Sequence, residues 1–299
     1  MRVSSDVVGS LARRLGFTLV AATLLPSPVA LSAEAAGARS PVHTTASADG
    51  VSIAYDVKGE GMLALVFVHG WSCDRTYWRE QVEPFSRGFR VVTVDLAGHG
   101  ESGSGRKAWT IEAFGDDVAA VVRQLSLRRV IFIGHSMGGD VIVEAARQLP
   151  GRVAGLVWVD TYKQLGTFRT PEQIRAFAAP FRANFAATTH NFVEHMFPPT
   201  ADRALVERIA ADMSAAPPDV ALEAMVSAIA FDRRIPAALA ELELPVIAIN
   251  PEHPPTDVAS LGRYGVGVLL MGNVGHFPML EDPGRFNTIL RTAIDNVPR

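Results

Sequence analysis

Residues 130–139 read Val130-Ile131-Phe132-Ile133-Gly134-His135-Ser136-Met137-Gly138-Gly139. An apolar, largely β-branched run climbs into Gly-x-Ser-x-Gly. Beyond the serine the apolar positions take helical spacing, at Val141, Val143, Ala145, Ala146 and Leu149. The pattern predicts a strand, a sharp corner and a helix, with a serine at the corner that holds its hydroxyl clear of the backbone. Gly134 and Gly138 suit that corner because side chains would clash there. The backbone N–H of Met137 and the start of the helix point at the space above Ser136, where a developing oxyanion would be stabilised. Ser136 is therefore the candidate nucleophile. The competing reading is a turn serine of purely structural use.

Three more strand-then-loop pieces flank this one. Val66-Phe67-Val68-His69-Gly70-Trp71 is a strand ending in His-Gly-aromatic, and Val91 to Val94 lead into Asp95-Leu96-Ala97-Gly98-His99-Gly100-Glu101-Ser102. The apolar run Val266 to Met271 precedes Gly275-His276-Phe277-Pro278-Met279-Leu280-Glu281-Asp282-Pro283. In a parallel sheet, chemistry gathers in loops at the carboxyl ends of the strands. Gly70 lets backbone approach a substrate, and the amide of Trp71 is the expected second oxyanion donor beside Met137. His69 is read as orienting that loop, and Asp95 to Ser102 as a tight structural loop containing His99. His276 is the best general base: it follows the last strand, lies beyond Ser136, and has Gly275 before it to give an imidazole room. His43, His190, His195 and His253 lie outside this geometry; His190 and His195 fall in the expected cap, where substrate contact is the alternative to the ordinary role expected of them.

These four pieces, in this order, resemble the α/β-hydrolase family over nearly all of the chain from about residue 42. The resemblance implies a mostly parallel, eight-stranded α/β sheet with helices on both faces and an all-helical cap inserted after strand 6. It also implies an acid partner for His276, and here the chain departs from the common pattern. Most relatives place an aspartate a few residues after the seventh strand. This loop reads Asn250-Pro251-Glu252-His253-Pro254-Pro255-Thr256-Asp257, with proline at the expected position. Asp160, at the end of the sixth strand, is the preferred acid, as in some haloalkane dehalogenases. Glu252 is the alternative acid, and Asp257 a third choice.

Strands are expected near 42–47, 51–57, 63–69, 89–95, 128–134, 153–159, 245–250 and 266–271, with helices alternating between them. The alternation fails once, where helical segments near 171–186, 189–196, 202–213 and 218–230 follow one another, punctuated by prolines. The expected organisation is a core of residues 36–160 and 237–299 and a cap of residues 161–236. The cap's apolar stripe comprises Phe177, Phe181, Phe185, Phe192, Met196, Phe197, Met213, Met225 and Ile229. Two-thirds are expected to pack the cap onto the core, and the rest to line a pocket.

Composition narrows the functions. A net charge of -3, with 48% hydrophobic and 20% charged residues, gives no basic footprint, so nucleic acid is not an expected partner. No Cys/His cluster has metal-ligand spacing, and the glycine loops match no phosphate or dinucleotide fingerprint; no metal or cofactor is expected. Arg2, Arg13 and Arg14 precede the proline-broken apolar stretch Leu15 to Leu31, followed by small residues. That layout predicts a secretory signal peptide over residues 1–35, cleaved to leave a periplasmic or secreted protein, with Arg13-Arg14 hinting at a twin-arginine route. The stretch is too short and broken for a good membrane span. The lone Cys73 cannot pair internally.

The expected activity is a serine hydrolase cleaving an ester, thioester or lactone of a small to medium apolar substrate through an acyl-enzyme. Carbon–carbon bond hydrolases, haloperoxidase/perhydrolases and iminopeptidases of the same fold keep a serine and stay open. A non-catalytic binding protein on this fold is the reading from another class.

Overall fold

A computed structural model describes residues 42–297, so the leader expected over residues 1–35 lies outside the described residues. Eight strands form one sheet: β1 (His43–Ala46), β2 (Ser52–Lys58), β3 (Ala64–Val68), β4 (Arg90–Val94), β5 (Val130–His135), β6 (Val153–Val159), β7 (Val246–Pro251) and β8 (Val266–Met271). Their order across the sheet is β1-β2-β4-β3-β5-β6-β7-β8. The β1–β2 and β2–β4 pairs are antiparallel, and every other pair is parallel. The parallel strands are covered on both faces, which is why β3, and β5 up to Gly134, are apolar rather than alternating, with every residue buried.

Helices α1 (Arg79–Ser86), α2 (Ile111–Gln124) and α3 (Met137–Arg147) alternate with the strands as the spacing predicts. α3 is buried from Met137 to Ala146, since it packs on the sheet and against α2. Between β6 and β7 come α4 (Pro171–Ala183), α5 (Phe185–Glu194), α6 (Arg203–Ser214), α7 (Pro218–Phe231) and α8 (Ile235–Leu242). Caps and prolines set their starts: Thr170 and Gln173 form a capping box on α4, Asn184 caps α5, and Asp202 caps α6. α8 was not among the elements legible in the sequence; it runs across the expected boundary at residue 237. After β7 lie α9 (Val258–Gly262), α10 (Pro278–Glu281) and α11 (Pro283–Asp295). Among the described residues, no helix is long and apolar enough to cross a membrane.

The corner between β5 and α3 is as tight as its glycines imply. Ser136 has φ 51°, in the left-handed region. A Cβ on Gly134 would lie 2.3 Å from Gly138 O, and one on Gly138 would lie 2.6 Å from both His69 O and Val68 O. The helix start thus rests directly on the end of β3, and only hydrogen fits between them. Gly138→Ala should therefore cost about 1–3 kcal/mol and lower Tm by roughly 3–10 °C, measured by thermal unfolding. An unchanged Tm would contradict this packing.

Candidate active site

Strand register brings two unusual residues together. In the β5–β6 pair Gly134 lies opposite Trp158 and His135 opposite Val159, so the chain leaves the two strands at Ser136 and Asp160 respectively. Ser136 N–H donates to Val159 O (3.0 Å), and Asp160 N–H to Ile249 O on β7 (3.0 Å). Asp160 also has a positive φ, 46°. Strained backbone at two neighbouring strand ends is sustained by the ladders beneath it, and such strain clusters where side chains are aimed for use.

His276 Nδ1 donates to Asp160 Oδ2 at 2.7 Å; an ionised carboxylate can only accept, which makes Nδ1 the protonated ring nitrogen and leaves Nε2 with its lone pair. Asp160 is 8% exposed. Burial would raise its pKa, but the His276 hydrogen bond and the charges of His276 and Lys163 outweigh that and hold the carboxyl below its ordinary value. The other two carboxylates do not join. Glu252 is exposed at the end of β7, with its carboxylate over Gly272, and Asp257 caps α9 by accepting from Ser260 N–H. Among the described residues, the alternative acid Glu252 makes no hydrogen bond or ion pair with the imidazole, whose carboxylate partner is Asp160.

The loop carrying His276 is held through several of its backbone groups. His276 N–H donates to Met196 O (2.9 Å), and His276 O accepts from His135 Nε2 (2.7 Å). The Glu281 carboxylate accepts from Gly275 N–H (2.8 Å) and Phe277 N–H (3.0 Å). Gly275 serves a different purpose from the one expected. A Cβ there would lie 2.3 Å from Met196 O, so the glycine admits the chain just after α5 rather than freeing the imidazole. Neither His135 nor Glu281 was read from the sequence as part of this site. The Glu281 spacing to Gly275, a carboxylate six residues on across a Pro-initiated turn, was the available signal.

Ser136, Met137, Trp71 and His276 line a single cavity of about 610 Å³. Among the described residues, the backbone N–H groups of Trp71 and Met137 donate to no backbone carbonyl. Trp71 Nε1 donates to Ala221 O on α7 (2.7 Å), and its ring meets Phe181, Phe185 and Phe192 edge-on. The apolar stripe divides contrary to expectation. Phe177, Phe192, Met196, Met213, Met225 and Ile229 line the cavity, whereas Phe181, Phe185 and Phe197 do not. Those three are taken up in packing, Phe181 and Phe185 on Trp71 and Phe197 stacked on Phe277. The lining also includes a polar group: Tyr162 donates to Asp140, and Asp232 Oδ1 lies 3.2 Å from the same hydroxyl. Burial raises the Asp232 carboxyl to about 6.

His69 and His99 are structural, as their loop settings imply. His69 Nδ1 donates to Gly70 O (2.8 Å) while Nε2 accepts from Leu96 N–H (3.1 Å), which joins the Gly70–Trp71 loop to the one after β4. His99 Nδ1 donates to Ala97 O (3.0 Å). Asp95 in that loop accepts from Arg75 N–H (2.7 Å) and Glu101 N–H (2.8 Å), and pairs with the Arg75 guanidinium.

The family whose model is described as "Alpha/beta hydrolase family" matches residues 65–289, a span that includes Ser136, Asp160 and His276. The chain belongs to the alpha/beta hydrolase family. This alpha/beta hydrolase is 30% identical over 206 residues to a pimeloyl-[acyl-carrier protein] methyl ester esterase of Sodalis glossinidius, a match covering 67% of this chain and 78% of that one. It is 39% identical over 119 residues to a non-heme chloroperoxidase of Streptomyces lividans, covering 39% of this chain and 43% of that one. The chain spans less than half the length of the first curated relatives it matches. A solved thermophilic esterase from Thermogutta terrifontis superimposes with a TM-score of 0.71 at 26% identity, over 86% of this chain and 99% of that one.

Burial sets the protonation of the histidines around the site. It pushes His69 down to about 4, and His99 and His135 down to about 3, because a charged ring loses its hydration there. All three should stay neutral at pH 5, with ring nitrogen NMR shifts flat between pH 7 and 5. The unfolded chain takes up those protons near pH 6.5, so these groups reduce stability as pH falls from there towards their folded values. A midpoint near 6.5 for any of the three would contradict its burial.

Proposed function

We propose that this alpha/beta hydrolase is a serine esterase-type enzyme: Ser136 is the nucleophile, His276 the general base and Asp160 the acid that orients it. The observation that carries this reading is the 2.7 Å hydrogen bond from His276 Nδ1 to Asp160, which leaves Nε2 as the ring nitrogen able to accept a proton. In this reading His276 takes the hydroxyl proton as Ser136 attacks a carbonyl carbon, and the amides of Trp71 and Met137 stabilise the oxyanion. The proton then passes to the leaving group. Water, deprotonated by the same imidazole, releases the acid from Ser136.

The apolar wall of Phe177, Phe192, Met196, Met213, Met225 and Ile229 favours a small to medium apolar acyl or alcohol group, joined as an ester, thioester or lactone. The likeness to a methyl ester esterase and to a solved esterase supports that class. The likeness to a chloroperoxidase supports a second reading, perhydrolysis, in which hydrogen peroxide replaces water as the acceptor. The two share the acyl-enzyme and differ only at its release. The proposed cap is the helical segment α4–α7, whose side chains supply the apolar wall.

Ser136→Ala should abolish both p-nitrophenyl ester hydrolysis and labelling by a fluorophosphonate probe, with kcat falling at least about 10³-fold. A wild-type protein that remains unlabelled and inert would favour a binding-only role. Glu252→Gln should keep kcat within about threefold of wild type on the same ester series. A Glu252→Gln loss of two or more orders of magnitude would sink the assignment of Asp160.

A further inference from the structure

Lys163 stands three residues beyond Asp160, in the loop that leaves β6, and the mechanism above does not use it. Its ammonium lies 2.8 Å from Asp160 Oδ1, the oxygen that His276 does not touch. Among the described residues, no hydrogen-bond donor in good alignment reaches that buried oxygen. Lys163 Nζ also donates to Pro251 O at 3.2 Å, which ties the end of β7 to the same point. Its side chain is 26% exposed, unlike a freely solvated surface lysine. Asn250, buried on β7, fixes the intervening loop by donating to Tyr162 O (2.8 Å) and Thr256 Oγ1 (3.0 Å).

We propose that Lys163 is a positioning residue: its ion pair with Asp160 Oδ1 fixes the carboxylate's rotamer and counterbalances its charge, so that His276 is a weaker base than an unopposed Asp160 would make it. The inference rests on the hydrolase reading for its kinetic consequence, but not for its electrostatic one. A carboxylate sandwiched between an ammonium and an imidazole divides its charge between them. It therefore binds the imidazolium less strongly than one facing the imidazole alone.

The other groups facing this pair do not supply the same charge. His135 stacks near His276, with ring centroids 4.6 Å apart, and burial keeps it neutral. Glu281, on α10, is a further carboxylate near the ring; its two oxygens are committed to Gly275 and Phe277 N–H, and burial raises its pKa. Ser136 carries no charge. Asp140 and Asp232 lie along the same cavity, paired with Tyr162. Among the described residues, Lys163 is the lysine or arginine paired with the acid.

The test is the pH dependence of kcat/KM on a p-nitrophenyl ester for wild type, Lys163→Met and Lys163→Arg. It is run beside an NMR titration of the His276 ring in Ser136→Ala and in Ser136→Ala/Lys163→Met. Removing the charge should move the acid limb of the profile up by about one pH unit, and the NMR midpoint should move by the same amount. Lys163→Arg should return the limb to within about 0.3 unit of wild type, because it keeps the charge. Should Lys163→Met not fold, Lys163→Gln removes the same charge and is read in the same way. A uniform loss of kcat at all pH values, with limb and midpoint unmoved, would show that Lys163 only braces the loop and would overturn the proposal. If the wild type hydrolyses no ester, the hydrolase reading fails while the NMR midpoint still decides the role of Lys163.

Discussion

The hydrogen bond between His276 Nδ1 and Asp160 Oδ2 is the contact on which the rest of the site depends. It joins the end of β6 to the loop after β8, two points that are not neighbours in the sheet, since β7 lies between them. Both partners must be fixed beforehand. Asp160 is fixed by its positive-φ backbone, by its N–H bond to Ile249 O and by the ammonium of Lys163. His276 is fixed by Met196 O, by His135 and by the Glu281 carboxylate across its neighbours. A side-chain pair held from this many directions forfeits little rotamer entropy when a proton moves through it, which is the physical content of preorganisation.

The same construction explains why the segment between β6 and β7 bears on the imidazole. Met196, just after α5, both accepts from His276 N–H and lines the cavity, and Gly275 has no side chain so that Met196 O can come close. On the other side Trp71 donates its indole N–H to α7 while its own backbone amide stays unpaired by backbone, beside Ser136. Helical insertion and strand-end loops are thus joined on two sides of the cavity. Movement of α5 or α7 would be felt directly at the imidazole and at the Gly70–Trp71 loop.

The architecture was legible because its signals are local. Four strand-to-loop pieces carry apolar runs and glycines that only tight parallel-sheet corners require, and all eight strands fall close to where alternation places them. The acid was harder to read. A carboxylate 116 residues away from its histidine has no local pattern, and Pro251-Glu252 resembled the usual loop without its geometry. Only the register of β5, β6 and β7 decides that Asp160 comes up beside Ser136. The apolar stripe of α4–α7 was misjudged for a related reason. Helical periodicity says which face is apolar, but not that Phe181 and Phe185 pack on Trp71 and Phe197 on Phe277 while Phe177 and Phe192 line the cavity. Pairings through backbone groups, such as His135 with His276 O and Glu281 with two amides, leave almost no trace in residue type.

The central claim is that His276 and Asp160 act as one unit on the serine, and a double-mutant cycle on kcat/KM tests it most directly. His276→Ala and Asp160→Asn, made singly and together, should each cost orders of magnitude, with the double variant no slower than His276→Ala alone. Losses that multiply, so that the double variant falls by the product of the two single effects, would mean that the residues work independently and would contradict the account.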